Sequence, residues 1–299
     1  MGSAREDMMK MQSLKILGVT AAILTVAIIA GCGNGTASTG GAGAGSGKPA
    51  AGEDTLGKIK REGVLRWGAD AEGGAPFVYR DEKDPEKITG FETEIIEKFA
   101  KHMGVKLERV QSEWASLIDN LKAKRTDMVV NGIEINEDRQ KVVGFSQPYY
   151  LYEQQLTVRA EDKDKYKTLA DLKGKKIGTL DAAEANNVLE RAGFAKDLIM
   201  PHPDSLTPYT DLELKRVDAV LQESIIAAHY AGKNPKVYNV PQTFSPGKYA
   251  ITVRLEDASL LKEVDRILEE MKKNGELAAI YKKWGIWTDK QKEIGIVEK

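Results

Sequence analysis

A carboxylate and a guanidinium stand close together in one short stretch of the chain. Glu134 and Arg139 belong to NGIEINEDRQ, residues 131–140, which follows the apolar run DMVV at residues 127–130. We interpret that run as a short buried strand. A guanidinium fork binds a carboxylate through two parallel hydrogen bonds, so Arg139 could hold an anionic group of a ligand. The alternative is that Arg139 pairs with the acidic residues just before it, at the solvated start of a helix.

Other acidic residues also follow predicted strands. Asp70 ends VLRWGAD, Asp181 follows KKIGTL, and Glu223 follows DAVLQ. Because ligands of open α/β sheets bind beyond the carboxyl ends of the strands, these residues and Glu134 could line one cleft. Four carboxylates and one guanidinium would repel an acidic solute and favour a basic or amide-bearing one. The alternative for Glu134 is a pair with Arg139 or with a neighbouring lysine.

The elements that would position these residues alternate between strand and helix. In FETEIIEKFAKHMG, apolar residues recur at four-residue steps before Gly104, which predicts a helix that ends at this glycine. VKLERV alternates apolar and polar residues like a strand, and EWASLIDNLKAK again has a helical apolar stripe. This order predicts an α/β fold, with a mostly parallel sheet and helices on both faces.

Two long extended segments interrupt this alternation. FSQPYYLYEQQLTVRA and KYAITVR have no helical period, and we predict that both cross between two lobes. The first lobe would comprise residues 55–150 plus 250–299, and the second residues 154–247. A hinge of two crossings lets two lobes close over a ligand.

The N-terminal part has the pattern of an export signal. In residues 1–32, basic residues precede the uncharged run ILGVTAAILTVAIIA, which is short for a membrane span and typical of a secretory signal. The run ends in IAGC, which resembles a bacterial lipobox, so we predict cleavage before Cys32 and its lipidation. The alternative is a short anchor helix with an accidental cysteine. Residues 33–54 are rich in Gly, Ala and Ser and predict a flexible tether.

Composition excludes several classes of function. Lys and Arg total 44 against 45 Asp and Glu, so there is no basic excess to bind nucleic acid. The single cysteine excludes an intrachain disulfide, and the three histidines lack the spacing of metal ligands. Neither a Gly-rich phosphate motif nor a G-x-S-x-G nucleophile elbow occurs. We therefore expect no metal and no cofactor. We also expect the chain to be a monomer.

The order of several motifs resembles the extracytoplasmic solute-binding proteins of polar amino-acid ABC transporters, family 3. The matching stretches cover nearly all of residues 55–287 and include GVLRWGAD, ITGFETEIIEKFAKHMG, DMVVNGIEIN, VGFSQPYY, LADLKGKKIGT, RVDAVLQES and LAAIYKKWG. The resemblance implies the two-lobed fold of type II periplasmic binding proteins. It also implies capture of a small polar solute in the bacterial cell envelope, for uptake by a permease in the membrane.

The resemblance assigns roles in the first lobe. Arg139 matches the arginine that grips the ligand α-carboxylate, and Gly132 matches the glycine whose carbonyl meets the ligand ammonium. Asp70 matches an aspartate that faces the ligand side chain, although it could instead cap a loop. Trp114 matches an aromatic wall of the binding site, although its spacing also fits core packing.

The second lobe and the turn depart from the family pattern. Glu223 replaces an aspartate that binds the α-ammonium, with Gln222 as a weaker candidate, although Glu223 could also serve only as a helix-start carboxylate. Glu134 replaces a threonine that bonds the ligand carboxylate, and Asp181–Ala182 replaces a Gly-Thr pair. Both of these changes remove a hydroxyl donor and bring an acid, which raises the question of how a ligand carboxylate is tolerated.

Two other functions fit the same scaffold. Some cyclohexadienyl dehydratases resemble this family, and Glu134, Asp181 or Glu223 could act as a general acid if burial raised its pKa. A sensory domain that reports occupancy to a membrane receptor is the other alternative. Because the tether suits surface capture, we expect a binding protein and not an enzyme.

Overall fold

The structure is a computed structural model, and it describes residues 54–299 except Glu82 and Lys233. The predicted signal peptide, the lipidation site at Cys32 and nearly all of the predicted tether lie outside the described residues. These N-terminal features therefore stay predictions.

Strands in the described part of the chain build one large sheet and one small hairpin. In chain order they are β1 Val64–Ala69, β2 Tyr79–Arg80, β3 Ile88–Thr89, β4 Lys106–Gln111, β5 Met128–Val129, β6 Gly144–Arg159, β7 Ile177–Leu180, β8 Ile199–His202, β9 Ala219–Glu223 and β10 Val237–Val253. The hairpin is β2–β3, and the other eight strands form the sheet in the order β4-β1-β5-β10-β6-β9-β7-β8.

The sheet consists of two parallel trios joined by an antiparallel pair. β1 lies between β4 and β5, all three parallel, and β7 lies between β8 and β9 in the same way. The long strands β6 and β10 run antiparallel to each other and connect the two trios. We call the part built on β4-β1-β5 the first lobe and the part built on β9-β7-β8 the second lobe. The paired extended crossings predicted from the sequence are β6 and β10.

Helices cover the trios, and their ends follow the sequence signals. The described α-helices are α1 Thr55–Glu62, α2 Phe91–Met103, α3 Leu117–Lys122, α4 Glu137–Gln140, α5 Glu184–Arg191, α6 Thr207–Glu213, α7 Ser224–Ala231, α8 Ala258–Lys273 and α9 Glu276–Lys283. Helix α2 ends as predicted at Gly104, whose φ of 69° is left-handed and whose N–H reaches the carbonyl of Ala100. Helix α8 buries its predicted stripe, which includes Leu260, Val264 and Ile267.

One prediction about the crossings is wrong in detail. The sequence suggests that KYAITVR is a separate crossing, whereas its residues through Val253 belong to the single 17-residue strand β10, which begins at Val237. β10 stays paired with β6 through several shifts in register, which absorb the intervening PQTFSPG segment.

Candidate functional site

Asp70 forms hydrogen bonds with several segments at the carboxyl ends of the strands in the first lobe. Its side chain is buried and accepts hydrogen bonds from Gln111 Nε2 at 2.8 Å, the Glu72 N–H at 2.9 Å and the Trp114 N–H at 2.9 Å. Its own N–H donates to Asn131 Oδ1 at 2.6 Å. Both carboxylate oxygens thus bind protein donors, as in the loop-capping alternative. A contact of Asp70 with ligand stays a prediction.

The turn after β5 depends on a glycine and a buried glutamate. Gly132 has a left-handed φ of 62°, and an added Cβ would lie 3.0 Å from the Phe77 ring. The Gly132 N–H donates to Glu92 Oε1 at 2.8 Å, and the Tyr149 hydroxyl donates to the same oxygen. Because the Glu92 carboxyl is fully buried, its pKa rises from 4.5 to about 7 despite these hydrogen bonds.

Glu134 and Arg139 form a buried ion pair. Glu134 has no exposed side-chain surface and Arg139 keeps 12% of its own. Arg139 Nη1 donates to the Glu134 carboxylate and also to the Glu134 carbonyl at 3.0 Å. The guanidinium carbon lies 5.2 Å from the centre of the Trp114 ring, which gives a cation–π contact. The alternative that Glu134 pairs with Arg139 is therefore the arrangement observed.

The Glu134–Arg139 pair also forms hydrogen bonds with residues of the second lobe. Arg139 Nη2 donates to the Ala182 carbonyl at 2.9 Å, and the Glu184 N–H at the start of α5 donates to Glu134 Oε1 at 3.1 Å. Asp181 is exposed, and its carboxylate accepts from the adjacent Ala182 N–H at 2.9 Å. Ala182 therefore contributes its carbonyl to this contact.

Glu223 joins the ion pair from the end of β9. Its buried carboxyl forms a side-chain hydrogen bond with Glu134. Burial, followed by the nearby Glu134 charge, raises the pKa of Glu223 well above its usual range. Glu223 therefore favours the protonated form, which can donate to the Glu134 carboxylate. The neighbouring Gln222 donates to the Ser205 carbonyl at 3.3 Å, and its buried Oε1 has no hydrogen-bond partner among the described residues.

A small cavity lies between the lobes next to this cluster. Its water-accessible space is about 20 Å³, enough for about one water molecule. Its walls include the aromatic side chains of Phe77, Trp114 and Tyr249, the polar side chain of Ser205, and Glu223. Since an amino acid is much larger, it can enter only if the lobes separate.

A wider groove of about 700 Å³ lies elsewhere, beside the two crossings and the C-terminal segment. Its walls include Gly247, Lys248, Asp289 and Glu293. Neither Glu134 nor Arg139 borders it. We therefore regard the small cavity between the lobes as the candidate site, because that is where the charged cluster and both lobes meet.

Comparison with known proteins identifies the family. The family described as bacterial extracellular solute-binding proteins, family 3, matches residues 65–286. The chain belongs to this family. Family 3 solute-binding proteins act outside the cytoplasm as components of ABC transporters, and the predicted family is thereby confirmed. In residues 54–299 of this solute-binding protein, none of the described helices has the length and apolarity needed to cross a bilayer.

Relatives of this solute-binding protein bind amino acids. The L-cystine-binding protein TcyJ of Escherichia coli K12 is 32% identical over 238 residues, covering 79% of this chain and 88% of that protein. The crystallised arginine-, lysine-, histidine-binding protein ArtJ of Geobacillus stearothermophilus is 28% identical and superposes with a TM-score of 0.71. The match covers 77% of this chain and 99% of that protein. An ancestral amino acid-binding protein, a precursor of cyclohexadienyl dehydratase, is 30% identical with a TM-score of 0.71 and the same coverage. These neighbours confirm the two-lobed type II fold.

Several residues of the site were missed by the sequence analysis. Phe77 and Tyr249 wall the cavity, Glu184 supplies an N–H to Glu134, and Glu92 supports Gly132. The available signals were the motif APFVY, which contains Phe77, FETEIIEKFAKHMG, which contains Glu92, and KYAITVR, which contains Tyr249. Their spacing along the chain does not show that these residues meet, because the contacts join positions distant in sequence.

Proposed function

We propose that this chain captures an amino acid with a basic or amide side chain outside the cytoplasm and delivers it to an ABC permease. The observation that carries the proposal is the set of side chains that line the cavity. Among its described lining residues, Glu223 is ionisable, and lysine, arginine and histidine do not occur. The Arg139 charge is balanced by Glu134. An acidic side chain would therefore meet carboxyls, whereas a cationic or amide side chain would be a hydrogen-bond donor to them.

We further propose that Cys32 carries a lipid that anchors the chain, as a monomer, to the membrane. The lipobox-like IAGC and the Gly-rich tether support this. Mass spectrometry of the N-terminal peptide from isolated membranes tests it, and an unmodified Cys32 would rule out the anchor.

Thermal unfolding with a panel of amino acids tests the proposed function. At about 100 times its dissociation constant, a ligand that binds only the folded state stabilises it by about 2.7 kcal/mol. For a chain of this size that corresponds to a rise in Tm of about 5–10 °C. We expect this rise with arginine, lysine, histidine or glutamine, and none with glutamate or aspartate.

L-cystine belongs in the same panel because relatives are named for it. A rise with cystine alone would preserve solute capture and contradict the side-chain preference. A rise with glutamate equal to that with arginine would contradict the charge argument.

An enzymatic function is the second candidate, and one observation favours it. The buried Glu223 carboxyl, whose pKa is raised, could donate a proton to a bound substrate. The named relatives that we compared are binding proteins. Turnover of prephenate or arogenate by the purified chain would establish the enzyme, and its absence at saturating substrate would exclude it.

A further inference from the structure

Two groups that would attract an anion in the cleft, the Arg139 guanidinium and the N–H at the start of α5, are already bonded to Glu134. Arg139 uses three N–H groups on protein acceptors, namely the Glu134 carboxylate, the Glu134 carbonyl and the Ala182 carbonyl. The N-terminal N–H of α5 at Glu184, a second device that favours negative charge, donates to the other Glu134 oxygen. The Glu134 carboxylate thus occupies the position in which a solute carboxylate would bind the Arg139 guanidinium and the Glu184 N–H.

The rest of the site has the chemistry of a cation receptor. Phe77, Trp114 and Tyr249 present aromatic surface to the cavity, and ring faces attract organic cations. Glu223 contributes the carboxyl group of the described lining.

We propose that Glu134 is a built-in occupant of the Arg139 anion subsite, so that the chain recognises an organic ammonium or guanidinium cation without requiring a carboxylate on the solute. This rests on the proposed function, since a solute must bind in the cleft. The inference goes beyond the proposed function because it states that the cationic group of the solute is sufficient for recognition. A solute carboxylate that displaced Glu134 would leave that acid buried without its cation, which is unfavourable.

Matched pairs of probes with and without the carboxylate test the proposal. The full chain is titrated calorimetrically with arginine and agmatine, and with lysine and cadaverine. We expect each decarboxylated probe to bind within about tenfold of its parent amino acid, because the cationic group carries the recognition. A parent that binds more than tenfold tighter than its decarboxylated partner would overturn the inference while leaving the proposed function intact. Failure of all four probes to bind would overturn the inference, and failure of histidine and glutamine as well would overturn the proposed function.

Variants of Glu134 separate this arrangement from a merely structural ion pair. Glu134→Thr frees Arg139 and the Glu184 N–H for a solute carboxylate, so the preference for arginine over agmatine should rise at least tenfold relative to the unmutated chain. Glu134→Gln, which keeps the side-chain volume, gives the same comparison if the threonine variant folds poorly. Glu137→Thr is the matched control, because Glu137 is exposed in the same segment and should leave the ratio unchanged. An unchanged ratio in both Glu134 variants would contradict the proposal.

Discussion

Replacing Arg139 with methionine should lower the free energy of unfolding by about 3–5 kcal/mol, the range for removal of one partner of a buried ion pair. Methionine keeps the apolar length of the side chain but leaves the Glu134 carboxylate buried without its cation. It also removes the hydrogen bond to Ala182 that joins the lobes. Chemical denaturation of the full chain measures the loss.

A surface arginine provides the matched control. Arg266 pairs with Glu263 and Glu270 on α8, and its side chain is 53% exposed. Since exposed ion pairs contribute about 0–1 kcal/mol, Arg266→Met should have little effect. The double variant Glu134→Gln/Arg139→Met should recover about 2 kcal/mol of the loss, because it no longer buries an unpaired charge. Equal, small losses for Arg139→Met and Arg266→Met would contradict the buried pair.

Glu92 should make stability fall as pH rises. The pKa of its buried carboxyl is about 7 in the folded chain against 4.5 ordinarily. Between these values the folded state holds a proton that the unfolded state has lost, so raising the pH favours unfolding. The pKa difference of about 2.5 corresponds to a loss of about 3 kcal/mol, complete above the folded pKa, at about 1.36 kcal/mol per unit.

Glu92→Gln should abolish that loss. The amide oxygen can still accept from Gly132 and Tyr149, and the amide does not ionise. Denaturation across about pH 4 to 9 should therefore show the variant gaining up to about 3 kcal/mol over the unmutated chain at the alkaline end. Glu97→Gln, on the exposed face of the same helix, is the control and should follow the unmutated profile. Parallel profiles for the unmutated chain and Glu92→Gln would contradict the assigned pKa.

The parts of the fold that sequence predicts are those set by local periodicity. The α2 stripe with its terminal Gly104 and the alternation of strands with helices follow from side-chain spacing within one element. The continuity of β10 does not, because Pro241, Pro246 and Gly247 have the local signals of a loop. Pairing with β6 overrides those signals, and the register shifts accommodate them.

In the site too, sequence predicts what depends on neighbouring residues and not what depends on contacts between the lobes. The proximity of Glu134 to Arg139 comes from one short stretch, and sequence offered their pairing as an alternative to ligand contact. Whether the pair forms depends on burial and on Ala182 and Glu184 from the other lobe, which spacing along the chain cannot show. Asp181 followed the same strand-end pattern as Glu223. However, the left-handed Ala182 beside it, with a φ of 55°, belongs to a turn that leaves the carboxylate exposed.

A crystal structure of the full chain with arginine bound tests most directly the claim that the cleft recognises a cation. The ligand guanidinium should lie among Phe77, Trp114 and Tyr249 with a hydrogen bond to Glu223, while Arg139 remains bonded to Glu134. A ligand carboxylate bonded to Arg139, with Glu134 turned out of the cleft, would contradict the account.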